Sequence, residues 1–338
     1  MKTLATFILL CITATAFGQQ DFTVDGFSPD YYGKVHFEDI QTADTNFISG
    51  SGRIRIYDKK SNKKLIEVEA DDLFVFLHNN GIKANIAQLP YGEQSVILYE
   101  DFNFDGDKDF AIENGHMSCY GGPSFSIYLA TEKGFAFNQA FTDLAMEYCG
   151  IFQVDDSAQT LHTMTKSGCC WHQYSTFKVK NNVPYPIKIM EERPNDTLFF
   201  IAHLTVYNRS NGAMEKEEYN VFVPQEGEIT ENMIDVLTLQ SGKKMYLFVD
   251  GSTSRMHYIL TDKAGRIELH YAGLFTYSAQ DNTVAFTNKD THYQIKDHTI
   301  TVHNASGIYP LKGQPDASSI TVDKPDIVKW NIKNLTVD

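Results

Sequence analysis

The chain has 338 residues, with 43 Asp and Glu against 29 Lys and Arg, and a formal net charge of -14. Hydrophobic residues make up 42% of it and charged residues 21%, a balance typical of folded rather than disordered proteins. The acidity disfavours nucleic-acid binding, which needs a basic stripe. The 23 Phe and 18 Tyr favour a fold rich in strands.

Residues 1–18 have the pattern of a cleaved signal peptide. Lys2 supplies a positive start, Leu4 to Ala16 form an apolar stretch, and small residues surround a cleavage position after Gly18. The apolar stretch is too short for a membrane span, and no later window is long and apolar enough for one. We therefore expect an exported protein, periplasmic or secreted, with no membrane span.

The remaining chain has a β pattern almost throughout. Alternating residues predict a hairpin over 53–69, and further short strands follow to 302, with a last strand near 327–332. Only residues 139–148 have helical periodicity. A polar segment around Pro194 marks a boundary, so we predict two β units, over 19–192 and 195–338, because a single core of this size tends to divide.

An acidic loop at 101–109 has the sequence DFNFDGDKD, with oxygen-bearing side chains at every second position and Gly106 at the sixth. Calcium takes six to eight oxygen ligands, and a tight loop supplies them from alternate residues. The predicted calcium ligands are the side chains of Asp101, Asn103 and Asp105, the backbone carbonyl of Asp107, and the carboxylate of Asp109. The alternative is an acidic surface turn without an ion.

Four cysteines follow the signal peptide: Cys119, Cys149, Cys169 and Cys170. In an exported chain they predict two disulfides, with three possible pairings. Neighbouring residues on a strand point to opposite faces, so Cys169 and Cys170 are expected to pair with different partners. A bridge between these two neighbours and a zinc site are the alternatives.

Three segments between residues 95 and 190 carry a resemblance to a known family: the acidic loop, Gly121-Gly122-Pro123-Ser124, and the stretch SGCCWHQY at 167–174. In this order they resemble exported bacterial proteins with a single integrin-like (FG-GAP-like) calcium loop. The resemblance implies a β-propeller-like, calcium-binding periplasmic unit without an enzyme active site, here followed by the second antiparallel β unit. The family includes calcium-dependent lysozyme inhibitors that act as immunity proteins.

No sequence motif for catalysis is present: the chain has no G-x-S-x-G, HExxH or Walker loop. Cys170 and His172 would share a strand face as nucleophile and base, but a disulfide cysteine beside a structural histidine is the favoured interpretation. The resemblance implies a non-enzymatic protein whose partner is a peptidoglycan hydrolase or lysozyme, and the acidic surface suits a basic partner because opposite charge speeds association. The alternatives are a calcium-stabilised module for adhesion to glycans or envelope proteins, and a cell-wall-associated hydrolase.

Two aromatic residues are candidates for contact with the partner. Tyr120 lies in a segment with loop character beside a predicted disulfide cysteine, and Trp171 lies near Tyr174. Exposed aromatic side chains can form a patch that binds a protein or a glycan. Packing in the core is the alternative for Tyr120 and the favoured interpretation for Trp171.

Overall fold

The computed structural model describes residues 20–44, 46–88, 92–223, 233–314, 327 and 330–338. The predicted signal peptide, residues 1–18, lies outside them. The described chain is mostly β, with one α-helix, which confirms the predicted fold class. Within these residues no helix has the length and apolar character needed to cross a membrane.

The chain forms two compact units. One contains the described residues up to Ser167 together with His172–Ile189 and Asn208–Met214. The other contains Gly168–Trp171, Met190–Tyr207 and Glu215–Asp338. Each unit has its own buried apolar clusters.

The first sheet is an antiparallel meander of four strands, in the order β1-β2-β3-β4. Its strands are β1 (Gln20–Val24), β2 (Tyr31–Ala43), β3 (Phe47–Asp58) and β4 (Lys64–Phe76). The predicted hairpin over 53–69 is confirmed as part of β3 and β4, which are longer than expected. Ile54 and Val68 pair across it and are buried, whereas Arg55 and Glu67 form an ion pair on the other face. Period-two alternation thus separates core from solvent.

A second four-stranded sheet, in the order β5-β6-β7-β8, packs in the same unit. Its strands are β5 (Ile97–Glu100), β6 (Asp109–Gly115), β7 (Ser124–Thr131) and β8 (Gly134–Phe137). Helix α1 (Gln139–Glu147) follows and confirms the predicted helix. The Asn138 side chain caps its start by accepting a hydrogen bond from the Phe141 N–H at 3.0 Å. Phe141 and Leu144 are buried in a cluster with Phe125 of β7.

A six-stranded antiparallel sheet has the order β14-β13-β12-β11-β10-β9. Its strands are β9 (Gln153–Asp155), β10 (Thr160–Ser167), β11 (Trp171–Lys180), β12 (Val183–Pro194), β13 (Ile201–Ser210) and β14 (Ala213–Phe222).

The second unit also contains two further sheets, of four and six strands. The four-stranded sheet comprises β15 (Met233–Thr238), β16 (Lys244–Asp250), β17 (Arg255–Thr261) and β18 (Ile267–Tyr271). The six-stranded sheet, in the order β23-β22-β21-β20-β19-β24, comprises β19 (Phe275–Ser278), β20 (Thr283–Asn288), β21 (Thr291–Lys296), β22 (Thr299–Asn304), β23 (Gly307–Lys312) and β24 (Leu335–Val337). Tyr258, Phe275 and Phe286 are buried in their common core.

The prediction of a last strand near 327–332 is wrong, because residues 330–332 are not in a strand and β24 begins at Leu335. Ile327 and Ile332 are buried. Their apolar character therefore reflects anchoring of the chain end in the core. The strand order alone does not establish a closed propeller among the described residues, so a propeller-like arrangement remains a prediction.

Candidate calcium site

The acidic loop joins β5 to β6, and its last residue, Asp109, is the first residue of β6. Phe102 anchors the loop: it is 1% exposed and packs edge-on against Phe152, with ring centroids 5.3 Å apart. Phe104 (φ 64°) and Gly106 (φ 95°) have left-handed backbone conformations that turn the chain sharply. The loop is therefore a tight turn fixed to the core at one end.

Asp101 lies at the centre of this turn. One of its carboxylate oxygens accepts hydrogen bonds from the backbone N–H groups of Phe104 (2.7 Å) and Asp105 (3.2 Å). The other accepts one from Gly106 at 2.8 Å. The backbone thus wraps around the first carboxylate of the predicted ligand set.

Asn103 and Asp105 lie side by side in the loop. The Asn103 side-chain oxygen accepts a hydrogen bond from the Asp105 N–H at 3.3 Å, and the Asn103 amide donates to Asp105 Oδ2 at 2.8 Å. The other oxygen of Asp105 accepts from the Asp107 N–H at 2.9 Å. The side chain of Asp107 is exposed, in keeping with a predicted role for its backbone carbonyl only.

Asp109 is completely buried. Its Oδ2 accepts from the Phe102 N–H and its Oδ1 from the Ala130 N–H, both at 2.8 Å, so this carboxylate ties the loop to β7. Burial, together with the negative charges of Asp105 and Asp101, raises the pKa of Asp109 to about 7, against the lowering effect of the two N–H donors. A cation in the loop would offset that cost.

The predicted ligands of the loop are of the chemical type that calcium binds. Four side chains present carboxylate or amide oxygens, which hard cations prefer. Among the described residues, no Lys or Arg forms an ion pair with a carboxylate of the loop. In the same residues, no three His, Cys, Asp or Glu side chains gather as a metal-binding group. The carboxylate oxygens of the loop accept hydrogen bonds from backbone N–H groups. One residue of the predicted ligand set, Asn103, is not of these four residue types.

Sequence reasoning missed the residue that holds Asn103 from outside the loop. Asn182, in the turn between β11 and β12, accepts a hydrogen bond from the Asn103 amide at 3.0 Å. Its own backbone carbonyl accepts from the Asn138 side chain at 3.1 Å. The Asn181-Asn182 pair signals a turn. Its contact with a loop 79 residues away depends on tertiary packing, for which the sequence carries no signal.

The cysteines form two disulfides, Cys119–Cys149 and Cys169–Cys170. The expectation that Cys169 and Cys170 have different partners is therefore wrong. It assumed that they lie on a strand, where neighbouring side chains diverge. Both lie in the turn between β10 and β11, so the alternation of a strand does not apply to them. With all four sulfurs in disulfides, no thiolate is available for zinc or as a nucleophile beside His172.

The two candidate partner residues differ in exposure. Tyr120 is 64% exposed in the short turn Cys119–Gly121, and the Lys166 ammonium lies 5.2 Å from its ring centroid. Trp171 is half-buried, and its indole Nε1 is buried without a hydrogen-bond partner. The surface position keeps Tyr120 a candidate for partner contact. The burial of its N–H edge favours the packing interpretation for Trp171.

Two solved structures are weakly similar to this chain. No protein-family model matches the chain, and no curated protein matches it. A solved structure described as a Xanthomonas type IV secretion system related protein is 23% identical, with a TM-score of 0.47, over 60% of this chain and 94% of that one. A Bacteroides uniformis protein described as a candidate 6-phosphogluconolactonase is 8% identical, with a TM-score of 0.21, over 91% and 98%. At these TM-scores neither similarity establishes a fold or an activity.

Proposed function

We propose that this protein is an exported, non-enzymatic calcium-binding protein that inhibits a peptidoglycan hydrolase of the lysozyme type, or gives immunity against it. The observation that carries the proposal is the 101–109 loop. In it Asp101, Asn103 and Asp105 share a tight turn closed by the buried carboxylate of Asp109. An oxygen-rich turn with four Asp residues and one Lys has an excess of negative charge and suits a hard cation.

The net charge of -14 supports the choice of partner. Lysozymes are usually basic, and an acidic surface accelerates encounter with a basic protein and becomes less effective as salt screens the charges. Tyr120, exposed beside a disulfide, is the aromatic residue we assign to the contact. Rigid aromatic side chains are common at the centres of protein interfaces.

The test is a muramidase assay. The purified mature protein is added to a basic lysozyme acting on peptidoglycan, in millimolar calcium and in excess EDTA. We expect inhibition in calcium, a loss of inhibition in EDTA, and a decline as salt is raised. No inhibition across several peptidoglycan hydrolases would refute the proposed partner class.

A matched pair of variants separates the calcium loop from general charge. Asp105→Ala and Asp290→Ala each remove one negative charge, but Asp290 lies in an exposed turn far along the sequence from the loop. We expect Asp105→Ala to abolish the effect of calcium on inhibition, and Asp290→Ala to retain it. Equal inhibition by both variants in calcium would remove the loop from the proposed mechanism.

A further inference from the structure

The Cys169–Cys170 disulfide joins two neighbouring residues in the turn between β10, which ends at Ser167, and β11, which begins at Trp171. Cys169 is exposed and Cys170 is half-buried. An external thiol can therefore approach the sulfur of Cys169 without prior unfolding. The position of this disulfide at the surface of a turn distinguishes it from the other one.

The Cys119–Cys149 disulfide has the features of a structural bridge. It joins residues 30 positions apart, and Cys149 is only 6% exposed. A bridge across such a loop restricts the unfolded chain and so stabilises the fold. Cys169 and Cys170 are held together by one peptide bond, so their bridge closes almost no loop and contributes little through the unfolded state.

We propose that Cys169–Cys170 is a redox-active site that accepts electrons from dithiols, such as the reduced dithiol pair of a thioredoxin-type protein. This activity is separate from the proposed inhibition of a hydrolase. It needs only the exposed disulfide and an external dithiol, and exposure is one of the properties that make a disulfide exchangeable rather than structural.

The exchange proceeds in two displacements. A thiolate of the external dithiol attacks Cys169 Sγ, breaks the Sγ–Sγ bond and forms a mixed disulfide, while Cys170 leaves as a thiolate and takes up a proton. The second thiolate of the dithiol then attacks its own sulfur in the mixed disulfide and releases Cys169, which is also protonated. The dithiol loses two electrons and becomes a disulfide, and the cysteine pair gains two electrons and two protons.

The test follows both disulfides of the folded protein at once. The mature protein is mixed with equimolar reduced thioredoxin, quenched with acid at intervals, labelled with N-ethylmaleimide and mapped by peptide mass spectrometry. We expect Cys169 and Cys170 to become labelled at least about tenfold faster than Cys119 and Cys149, since Cys169 is exposed whereas Cys149 is buried and Cys119 is half-buried. Oxidised glutathione added to the reduced protein before the quench should re-form the Cys169–Cys170 disulfide and so prevent labelling of the pair.

Two single variants identify the attacked sulfur. Cys170→Ser leaves an exposed thiol at Cys169, which should form a mixed disulfide with oxidised glutathione, seen as a mass gain. Cys169→Ser leaves the half-buried thiol of Cys170, which should react several-fold more slowly. Simultaneous labelling of all four cysteines, labelling of Cys119 and Cys149 first, or no labelling of Cys169 and Cys170 before unfolding would each overturn the proposal.

Discussion

The buried carboxyl group of Glu113 makes the stability of the protein depend on pH. Glu113 lies in β6 and is 1% exposed, and its Oε1 accepts a hydrogen bond from the Phe74 N–H of β4 at 3.2 Å. Burial raises the pKa of Glu113 to about 8, with a smaller contribution from the negative charge of Asp72. The folded protein thus binds a proton here at neutral pH that the unfolded chain releases.

The sign and size of the effect follow from this difference. Because the folded pKa is above the unfolded value of 4.5, the stabilisation is complete below that pH and is lost as pH rises through about 8. Each unit of pKa difference corresponds to about 1.4 kcal/mol, so the free energy of unfolding falls by about 5 kcal/mol in all between the unfolded and the folded pKa of Glu113. Within the window, stability falls by about 1.4 kcal/mol per pH unit.

Glu113→Gln removes this titration while the Gln side-chain oxygen still accepts the Phe74 N–H. We expect the variant to unfold at a similar urea concentration to wild type at pH 5 and at a clearly higher one at pH 8. Both proteins are measured in the same calcium buffer, so the contribution of Asp109 to the slope cancels. Glu132→Gln, in the exposed turn between β7 and β8, is the matched control and should follow wild type. Parallel pH profiles for wild type and Glu113→Gln would refute the reasoning.

Three further predictions concern stability. Calorimetry of Asp105→Ala should show no rise in melting temperature with calcium, whereas saturation at 100 times the dissociation constant stabilises wild type by about 2.7 kcal/mol. Replacing both Cys119 and Cys149 by Ser should lower the urea-derived free energy of unfolding by about 3.5 kcal/mol, and a loss below about 1 kcal/mol would contradict the loop-closure explanation. Asn334→Ala removes the hydrogen bonds of a side chain that is 1% exposed: its oxygen accepts from the Met256 N–H, and its two amide hydrogens are shared among the carbonyls of Met256, Ala272 and Gly273. The variant should lose about 4 kcal/mol by urea unfolding. The exposed control, Asn304→Ala, should lose less than about 1 kcal/mol.

Local sequence patterns predicted the individual elements well, because they depend on neighbours in the chain. Alternation over 53–69 identified the β3–β4 hairpin, and the helical periodicity of residues 139–148 identified α1. The order of the strands in the sheets depends on contacts between distant residues. So does the parallel pairing of β24 with β19, which no local pattern indicated.

The same distinction holds for the candidate site. The alternation of Asp101, Asn103 and Asp105 around a left-handed Gly106 is a local property, and the structure places these residues in one turn. The link between Asn103 and Asn182 was not predictable, since it joins segments far apart in sequence. The turn at Cys169 and Cys170 was not predicted: strands lie on both sides of it, and residue periodicity does not locate the end of a strand.

Asp109 shows how calcium and folding would be coupled in this protein. Asp109 is the first residue of β6. Its carboxylate accepts hydrogen bonds from the Phe102 N–H in the acidic loop and from the Ala130 N–H in β7. Ionisation of this buried carboxyl beside the negative charges of Asp105 and Asp101 costs free energy. Under the calcium proposal, the ion offsets this repulsion only in the folded state. The free energy of calcium binding therefore adds to the folding stability of the β5–β8 sheet. The calcium dissociation constant obtained from the midpoint of inhibition should then equal the one obtained from the dependence of the unfolding free energy on calcium concentration. A difference between the two constants would mean that another site controls the binding surface.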